Sequence, residues 1–145
     1  MGKPRSTLVL EEHPKAEDKK FVWDGLEAFN LQTSGIPPNY QELVIFIRAN
    51  DGTILGGLLG GTFWEWLHIG TLWVDEKLRG QRYGSDMLQT AEQEALRRGC
   101  HSVFLDTLSW QALPFYQKYG YELYGQLDDF PPGHTRYYLK KRLRV

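Results

Sequence analysis

The stretch LHIGTLWVDEKLRGQRYGSDML, residues 67–88, decides the fold because it places a strand, a polar loop and a helix in immediate succession. The apolar strand ends at Val74, and the helix begins near Tyr83. The loop between them, RGQRYGS at residues 79–85, contains two glycines, which permit a sharp turn and a close backbone approach to a ligand. A helix N-terminus leaves backbone N–H groups unpaired and favours an anion. The stretch therefore predicts a cradle for a phosphate-bearing ligand.

Two common phosphate-binding loops are excluded by the sequence. A nucleoside-triphosphate loop needs a lysine after its last glycine, and no lysine follows Gly84. The dinucleotide pattern G-x-G-x-x-G is also absent, both in this loop and among the glycines at positions 56, 57, 60 and 61. Those four glycines instead predict a bulge or a close backbone approach within a strand.

Composition excludes several further classes of function. The net charge of −1 gives no basic footprint for nucleic acid or for a membrane surface. The longest apolar run, residues 43–47, is far too short to span a bilayer. The only cysteine, Cys100, cannot form an internal disulfide, so we expect a cytoplasmic protein. The 145 residues predict one domain, 1–145, in which residues 1–5 form a disordered basic leader; the start also fits the weaker pattern for N-myristoylation.

Periodicity and turn residues predict an α+β chain. A helix is expected over residues 16–32, where apolar residues recur at helical spacing, and Asn50-Asp51-Gly52 predicts a hairpin turn. The second helix carries an apolar stripe and ends at Gly99. Strands are expected at residues 7–10, 43–48, 53–63, 65–74, 102–107, 121–127 and 136–143, and a third helix at residues 110–119. The strand, helix and strand from residue 65 to 107 predict a right-handed parallel crossover.

Neither a cysteine nucleophile nor a metal site is expected. Cys100, His101 and Asp106 contain the atoms of a Cys/His/Asp set. Sequence neighbours entering a strand point to opposite faces, however, so Cys100 is interpreted as a buried structural residue. No spacing of His, Cys and carboxylates suggests a metal centre.

The loop resembles that of the GNAT superfamily of acetyl-CoA-dependent N-acetyltransferases. In that family [QR]-x-x-G-x-[GA], after a strand ending in an apolar-x-Val pair, binds the coenzyme's pyrophosphate. Arg79, Gly84 and the strand end at residues 72–74 match, whereas Arg82 stands where the first glycine is usual.

A second match lies at residues 109–121, SWQALPFYQKYGY. GNAT proteins commonly show N-x-x-A-x-x-F/L-Y-x-K-x-G-F here. Five residues match, Ala112, Phe115, Tyr116, Lys118 and Gly120, while Ser109 replaces the usual asparagine beside the coenzyme arm. The two motifs are separated by one helix and one strand, which is also the family's spacing.

The resemblance implies the GNAT fold, a mixed, mostly antiparallel sheet whose central parallel pair splays at the coenzyme site. Ligands of such sheets bind beyond the carboxyl ends of the strands, and a thioester arm could add there as an extra strand. The residues expected to bind acetyl-CoA are Leu72, Trp73, Val74, Arg79, Gly80, Gln81, Arg82, Tyr83, Gly84, Ser85 and Ser109.

Acyl transfer to an amine needs a neutral nucleophile, a stabilised oxyanion and a proton for the thiolate. By resemblance Tyr116 is the general acid; an ordinary phenol has a pKa near ~10, above the ~8.5 of a thiol. The alternative is a tyrosine that only packs the helix on the sheet. His68 is the first candidate base, with Glu65 and His134 as alternatives, and a structural strand histidine is equally open.

The acceptor is not specified by any motif and could be a small-molecule amine or a protein amino group. Asp128 and Asp129 could attract a cationic amine, although a solvated acidic turn is the simpler interpretation. Five aromatic residues could line the acceptor pocket or could equally belong to the core: Trp23, Phe29, Tyr40, Trp64 and Trp66.

Two functions follow from these observations. The first is an N-acetyltransferase in which the amine attacks acetyl-CoA directly in a ternary complex, without a metal. The second is a non-catalytic acyl-CoA-binding or sensing module, which would have no need of the Tyr116 phenol. An exposed edge strand would permit a homodimer.

Overall fold

The computed structural model describes Gly2 and residues 5–144, and the chain divides into two compact units, Met1–Pro37 and Pro38–Val145. Most of the predicted disordered leader, Met1, Lys3 and Pro4, lies outside the described residues. The prediction of one domain stays a prediction. Within residues 2 and 5–144, no helix is long and apolar enough to cross a membrane.

The first unit consists of one long helix, α1 (Ala16–Ser34), preceded by irregular chain. The helix ends as predicted, with Gly35 in the left-handed region and its N–H bonded to the Leu31 carbonyl at 2.8 Å. No residue of α1 is buried, so its aromatic side chains, including Trp23 and Phe29, do not form a core. The strand predicted at residues 7–10 is wrong. A strand requires a hydrogen-bonding partner, and these residues have none in the described chain.

The second unit is a six-stranded sheet with two further α-helices and a short 3-10 helix, Glu76–Leu78. Its strands and α-helices in chain order are β1 (Gln41–Arg48), β2 (Ile54–Phe63), β3 (Trp66–Val74), α2 (Tyr83–Arg97), β4 (Ser102–Leu108), α3 (Leu113–Lys118), β5 (Glu122–Asp128) and β6 (Thr135–Arg142). The strand order is β1-β2-β3-β4-β6-β5, and only β3 and β4 run parallel. The predicted α+β class and mixed, mostly antiparallel sheet are confirmed.

The glycines of β2 allow its neighbours to approach closely. A Cβ on Gly56 would lie 2.7 Å from the Trp73 carbonyl oxygen, and one on Gly60 would collide with the His68 carbonyl. The β2–β3 register shifts after Leu59, which leaves Gly70 as an extra residue on β3. The predicted bulge and close approach are therefore both present, and the bulge lies at the centre of the sheet.

The core lies between the sheet and α2. As predicted, Leu88, Ala91 and Ala95 are buried along one stripe of the helix, and Met87 joins them. Their partners on the sheet are Leu58, Leu67, Ile69, Val103, Leu105 and Leu139, each no more than 2% exposed. Each large side chain buried in this way stabilises the unit by about 1.5–3 kcal/mol. This packing fixes where α2 begins relative to β3.

The central parallel pair separates before either strand ends. Pairing between β3 and β4 runs only from Trp66 opposite Ser102 to Ile69 opposite Leu105. Beyond that point β3 stays paired with β2 as far as Val74, and β4 stays paired with β6 as far as Leu108. The sheet therefore opens between residues 70–74 and 106–108, which is the splay that the family resemblance implies.

Candidate functional site

A cleft of about 1420 Å³ opens where β3 and β4 separate. The N-terminus of α2 lies at one end of the cleft, and α3 contributes Phe115, Tyr116 and Lys118. Nine of the predicted coenzyme residues line it: Leu72, Trp73, Val74, Arg79, Gly80, Arg82, Tyr83, Gly84 and Ser85. Gln81 and Ser109 are not among the residues that line it.

The loop before α2 lines this cleft, and the first amides of the helix have no backbone partner among the described residues. Arg82 precedes the helix with φ 69° and ψ 8°, a left-handed conformation that glycine adopts most easily. Arginine at this position therefore follows a glycine-like backbone path. No side chain caps the helix, and the Asp86 N–H donates to the Arg82 carbonyl at 2.9 Å. The amides of residues 83–85 thus remain available to an anion.

Arg79 connects the loop to the end of β3. Its Nε donates a hydrogen bond to the Val74 carbonyl at 3.2 Å, and its side chain lines the cleft. Gly80 turns the chain with φ 79°. Arg79 and Arg82 therefore bring two guanidinium groups to the same end of the cleft as the free helix amides, where they add to its positive potential.

Tyr116 lies at the base of the cleft, and its ring packs against Phe115 and Tyr121 at 5.1 and 5.6 Å between centroids. The residue is 7% exposed. Its hydroxyl makes no hydrogen bond with the described residues, yet no polar side-chain atom among them is both fully buried and unpaired. The hydroxyl must therefore open onto the cleft. Burial, and secondarily the nearby Asp106 carboxylate, raise the pKa of Tyr116 to about 12, so the phenol stays protonated at neutral pH.

A partly buried polar cluster holds Tyr121 against Tyr116. The Tyr121 hydroxyl donates to the Glu92 carboxylate at 3.0 Å, and the Lys141 ammonium donates to the same carboxylate at 2.8 Å. Burial and the negative charge of Glu92 raise the pKa of Tyr121 well above its usual range. The cluster joins α2 to β6 and fixes the wall behind the Tyr116 ring.

Comparison with known proteins decides the family. A model described as the acetyltransferase (GNAT) family matches residues 7–121, most of the chain. The chain belongs to the GNAT acetyltransferase family. It is 37% identical over 135 residues to an acetyltransferase of Agrobacterium fabrum, covering 93% of this chain and 98% of that protein.

Two further relatives agree with this assignment. The blasticidin-S acetyltransferase of Streptomyces morookaense is 42% identical over 93 residues, which are 63% of this chain and 68% of that one. The crystal structure of an acetyltransferase from Bacillus cereus superposes with a TM-score of 0.83 at 32% identity, covering 92% of this chain and 97% of that chain. The chain is therefore an acetyltransferase with the GNAT fold.

The structure of this acetyltransferase brings Asp106 into the cleft. From the sequence, Asp106 is considered only as a partner of Cys100 and His101 in a nucleophilic set, which is rejected. Its carboxylate accepts a hydrogen bond from the Arg136 Nε at 2.8 Å, and both side chains are about three-quarters buried. A signal was present, because Asp106 is the one charged residue in the otherwise apolar or hydroxylic strand SVFLDTL. Asp106 lies in the cleft because the pairing of β3 with β4 stops one residue before it, at Leu105.

His68 is not among the residues lining the cleft. Its neighbours Leu67 and Ile69 are buried against α2, so its side chain lies on the opposite face of the sheet. There its ring stacks on Phe104 with centroids 4.7 Å apart. His68 and Phe104 are opposite each other in the β3–β4 ladder, one step before the strands separate. His68 is therefore next to the opening but on the face away from α2.

The alternative bases lie in less suitable places. Glu65 precedes β3, five residues before Gly70, or about 16 Å along an extended chain. His134 is hydrogen-bonded to Ser109, with Nδ1 and Oγ 3.1 Å apart, and its ring contacts Trp110 edge-on. His134 therefore reaches the cleft only through Trp110, which lines it.

Ser109 and Gln111 have different roles at the end of β4. The Ser109 hydroxyl accepts the Thr135 N–H at 3.2 Å, so it joins β4 to β6. Gln111 lines the cleft, and its Oε1 accepts the Leu108 N–H at 2.7 Å. This hydrogen bond holds residues 109–111 in a turn, which is why α3 begins at Leu113 and is shorter than predicted.

The structure agrees with the structural interpretations of two sets of residues: an acidic turn at Asp128 and Asp129, and a buried Cys100. The Asp129 carboxylate accepts the Gly133 N–H at 3.3 Å, and Asp128 accepts hydrogen bonds within the same region, as expected for an acidic turn. Cys100 is 2% exposed within the core, and burial raises the pKa of its thiol. His101 instead has its Nδ1 2.8 Å from the Ser102 hydroxyl, so no thiolate–imidazole pair forms.

Substituting Arg82 with glycine should separate the effect of the Arg82 charge on coenzyme binding from the effect of its left-handed backbone on stability. Glycine relaxes the left-handed conformation, so the free energy of unfolding should change by no more than about 1 kcal/mol, in the stabilising direction. Loss of the guanidinium should raise the Kd for coenzyme A several-fold at low salt. Arg82→Gln is the matched variant, because it removes the charge but keeps a side chain in the left-handed region. Equal affinity of all three proteins in calorimetric titrations would exclude a charge role for Arg82.

Proposed function

We propose that the protein transfers the acetyl group of acetyl-CoA to a primary amine by direct attack in a ternary complex. The observation that carries the proposal is that three features open onto one cleft: the separated strands, the uncapped start of α2 and the free hydroxyl of Tyr116. Each meets a different requirement of thioester aminolysis. They supply, respectively, a backbone edge, an anion site and a protonated acid.

The coenzyme would bind along the cleft in two parts. Its diphosphate would accept hydrogen bonds from the amides at the start of α2, with Arg79 and Arg82 as charged partners. Its extended arm would lie beside residues 72–74, whose edge facing β4 is not paired in the sheet. Gln81 and Ser109 remain proposed contacts, although in this structure neither lines the cleft.

Starting from the ammonium, two protons leave nitrogen, one before attack and one as the amide forms, while one proton reaches sulfur and one is released to solvent. The amine nitrogen attacks the thioester carbonyl, the C–N bond forms, and the C–S bond breaks. Backbone N–H groups near Trp73 and Val74 are suited to stabilise the oxyanion. Tyr116 donates a hydrogen bond to the departing sulfur and passes on its proton, which solvent then replaces. At neutral pH both the phenol and the thiol are protonated at equilibrium, so no charge remains on sulfur.

The proton on the acceptor nitrogen would leave towards His68, on the face of the sheet opposite to α2. An alkylammonium has a pKa near ~10.4 and must be deprotonated before attack. His68 lies beside the opening between β3 and β4, so it could accept this proton directly or through one water. We propose His68 as the base, with the ion-paired Asp106 as a positioning group.

The acceptor class is a primary amine on a small molecule or a protein. Similarity to an acetyltransferase named for blasticidin S favours a small molecule. The cytoplasmic location and the homodimer remain predictions.

A panel of amines assayed for acetyl-CoA-dependent thiol release tests the proposal. We expect release to require both acetyl-CoA and an amine, and the acetylated amine to appear in equal amount by mass spectrometry. Coenzyme binding with no turnover on any small amine or on peptide N-termini would instead favour the non-catalytic acyl-CoA-binding module. That second function has no specific support here, because it leaves the free Tyr116 hydroxyl unexplained.

A further inference from the structure

A second pocket lies on the face of the sheet opposite to α2. Its volume is about 540 Å³, within the range of small-molecule sites. Its lining is almost wholly aromatic and consists of Phe63, Trp64, Trp66, Phe104, Tyr124 and Lys140. Aromatic side chains of this size are usually buried, yet Trp64 is 41% and Tyr124 50% exposed.

We propose that this pocket binds the acceptor, and that the acceptor is a primary amine carried on a planar aromatic ring with an anionic substituent. The inference rests on the proposed function, because it assigns a substrate class to the same reaction. It goes further because it specifies an aromatic ring and an anionic group on the acceptor, and the face of the sheet on which the acceptor binds.

The pocket is connected to the opening by two adjacent strands. On β3 the residues on this face run from Trp66, in the pocket, through His68 to Gly70, in the cleft. On β4 they run from Phe104, in the pocket, to Asp106, in the cleft. Along the strands, Phe104 and Asp106 are about 6.6 Å apart, and Trp66 and Gly70 about 13 Å apart. A ring held against Phe104, which is level with His68, would therefore direct an amine on a short linker towards Asp106 and the opening.

The walls are arranged for a planar ring. Phe63 and Trp66 both meet Phe104 edge-on, with centroids 6.3 and 5.8 Å away and interplanar angles of 81° and 73°. His68 already stacks on Phe104. A further ring can add to such a cluster by stacking or edge contacts, which contribute about 0.5–1.5 kcal/mol beyond the buried area.

Lys140 indicates that the substituent on the acceptor ring is anionic. Its ammonium lies 5.9 Å from the centroid of the Tyr124 ring, so the position that a cationic ligand would take there is already filled. Glu122 is opposite Lys140 in the β5–β6 ladder, but Lys140 forms no ion pair within residues 2 and 5–144. A carboxylate on the ring could pair with this ammonium, because Lys140 on β6 is opposite Phe104 on β4.

Three matched acceptors test the ring and the charge. Phenylethylamine should have a kcat/KM at least 10-fold above that of cyclohexylethylamine, although the saturated ring is the more hydrophobic. The para-carboxylate of phenylethylamine should exceed the parent several-fold. Equal kcat/KM values for the aromatic and saturated amines would overturn the proposal.

Variants of pocket residues test whether the preference for an aromatic, anionic amine arises in this pocket. Trp66→Leu should raise KM for phenylethylamine about 10-fold and leave kcat and the Kd for coenzyme A nearly unchanged. Lys140→Met should remove only the advantage of the carboxylate. Phe46→Leu, an exposed aromatic residue of β1 outside the pocket, is the control and should behave as wild type.

A binding measurement separates this proposal from the proposed function. Calorimetric titration of N-acetyl-phenylethylamine reports on the pocket without any turnover. Its binding should be at least 10-fold weaker to Trp66→Leu and unchanged in Phe46→Leu. Equal affinity for wild type and Trp66→Leu overturns the pocket assignment even if acetyl transfer occurs. Absence of transfer to every amine overturns the proposed function, whatever the pocket binds.

Discussion

Substitution of Tyr116 by phenylalanine is expected to lower kcat for acetyl transfer by about 10²–10⁴-fold, the usual contribution of a positioned general acid. The Kd for acetyl-CoA should change by less than a factor of two. The substitution removes one oxygen atom that has no hydrogen-bonding partner among the described residues, and it keeps the ring packed against Phe115 and Tyr121. The fold should therefore be preserved, and the loss should be confined to the chemical step.

Steady-state thiol release and coenzyme titration measure the two quantities separately. Tyr119→Phe is the matched control, because Tyr119 also lines the cleft and also packs on Phe115. It should retain wild-type kcat. Since the pKa of Tyr116 is about 12, the wild-type rate should show no alkaline decline from this phenol at pH 7–10. Wild-type turnover by Tyr116→Phe would remove Tyr116 from the mechanism.

Substitution of Gly84 by valine is expected to raise the Kd for acetyl-CoA at least about 100-fold. A first added carbon would lie 3.6 Å from the Phe115 ring and 4.0 Å from Leu72, ordinary contacts that the fold accommodates. The two further methyl groups of valine would extend from there into the mouth of the cleft, where the diphosphate would meet the helix amides. Loss of one or two charge-assisted hydrogen bonds costs about 3 kcal/mol, which corresponds to that change in affinity.

Calorimetric titration measures the affinity, and circular dichroism with thermal unfolding checks the fold. Gly125→Val provides a matched change elsewhere, since no heavy atom lies within 4 Å of an added Cβ at that glycine of β5. It should bind coenzyme like the wild type. Unchanged affinity of Gly84→Val would mean that the phosphates do not bind at the start of α2.

The sequence predicts the central part of this fold well because the signals there are local. The apolar run to Val74, the glycines of the loop and the apolar stripe of α2 each act within a few residues, and all three elements form where expected. Gly35 and Gly99 end their helices for the same reason, since each takes a positive φ that other residues avoid. The stretch at residues 7–10 has a similar apolar pattern but no strand to pair with, and its prediction is wrong.

By itself, the sequence determined the order of elements from residue 41 onward, the free amides at the start of α2 and the identity of Tyr116 as the candidate acid. The tertiary structure alone decided which side chains share a space. The β3–β4 ladder stops at Ile69 and Leu105, and that stopping point brings Asp106 into the cleft and leaves His68 just before the opening. It also gathers Trp66 and Phe104, which are 38 positions apart in the sequence, into one pocket. Such juxtapositions depend on register and strand separation between distant segments, which no local pattern encodes.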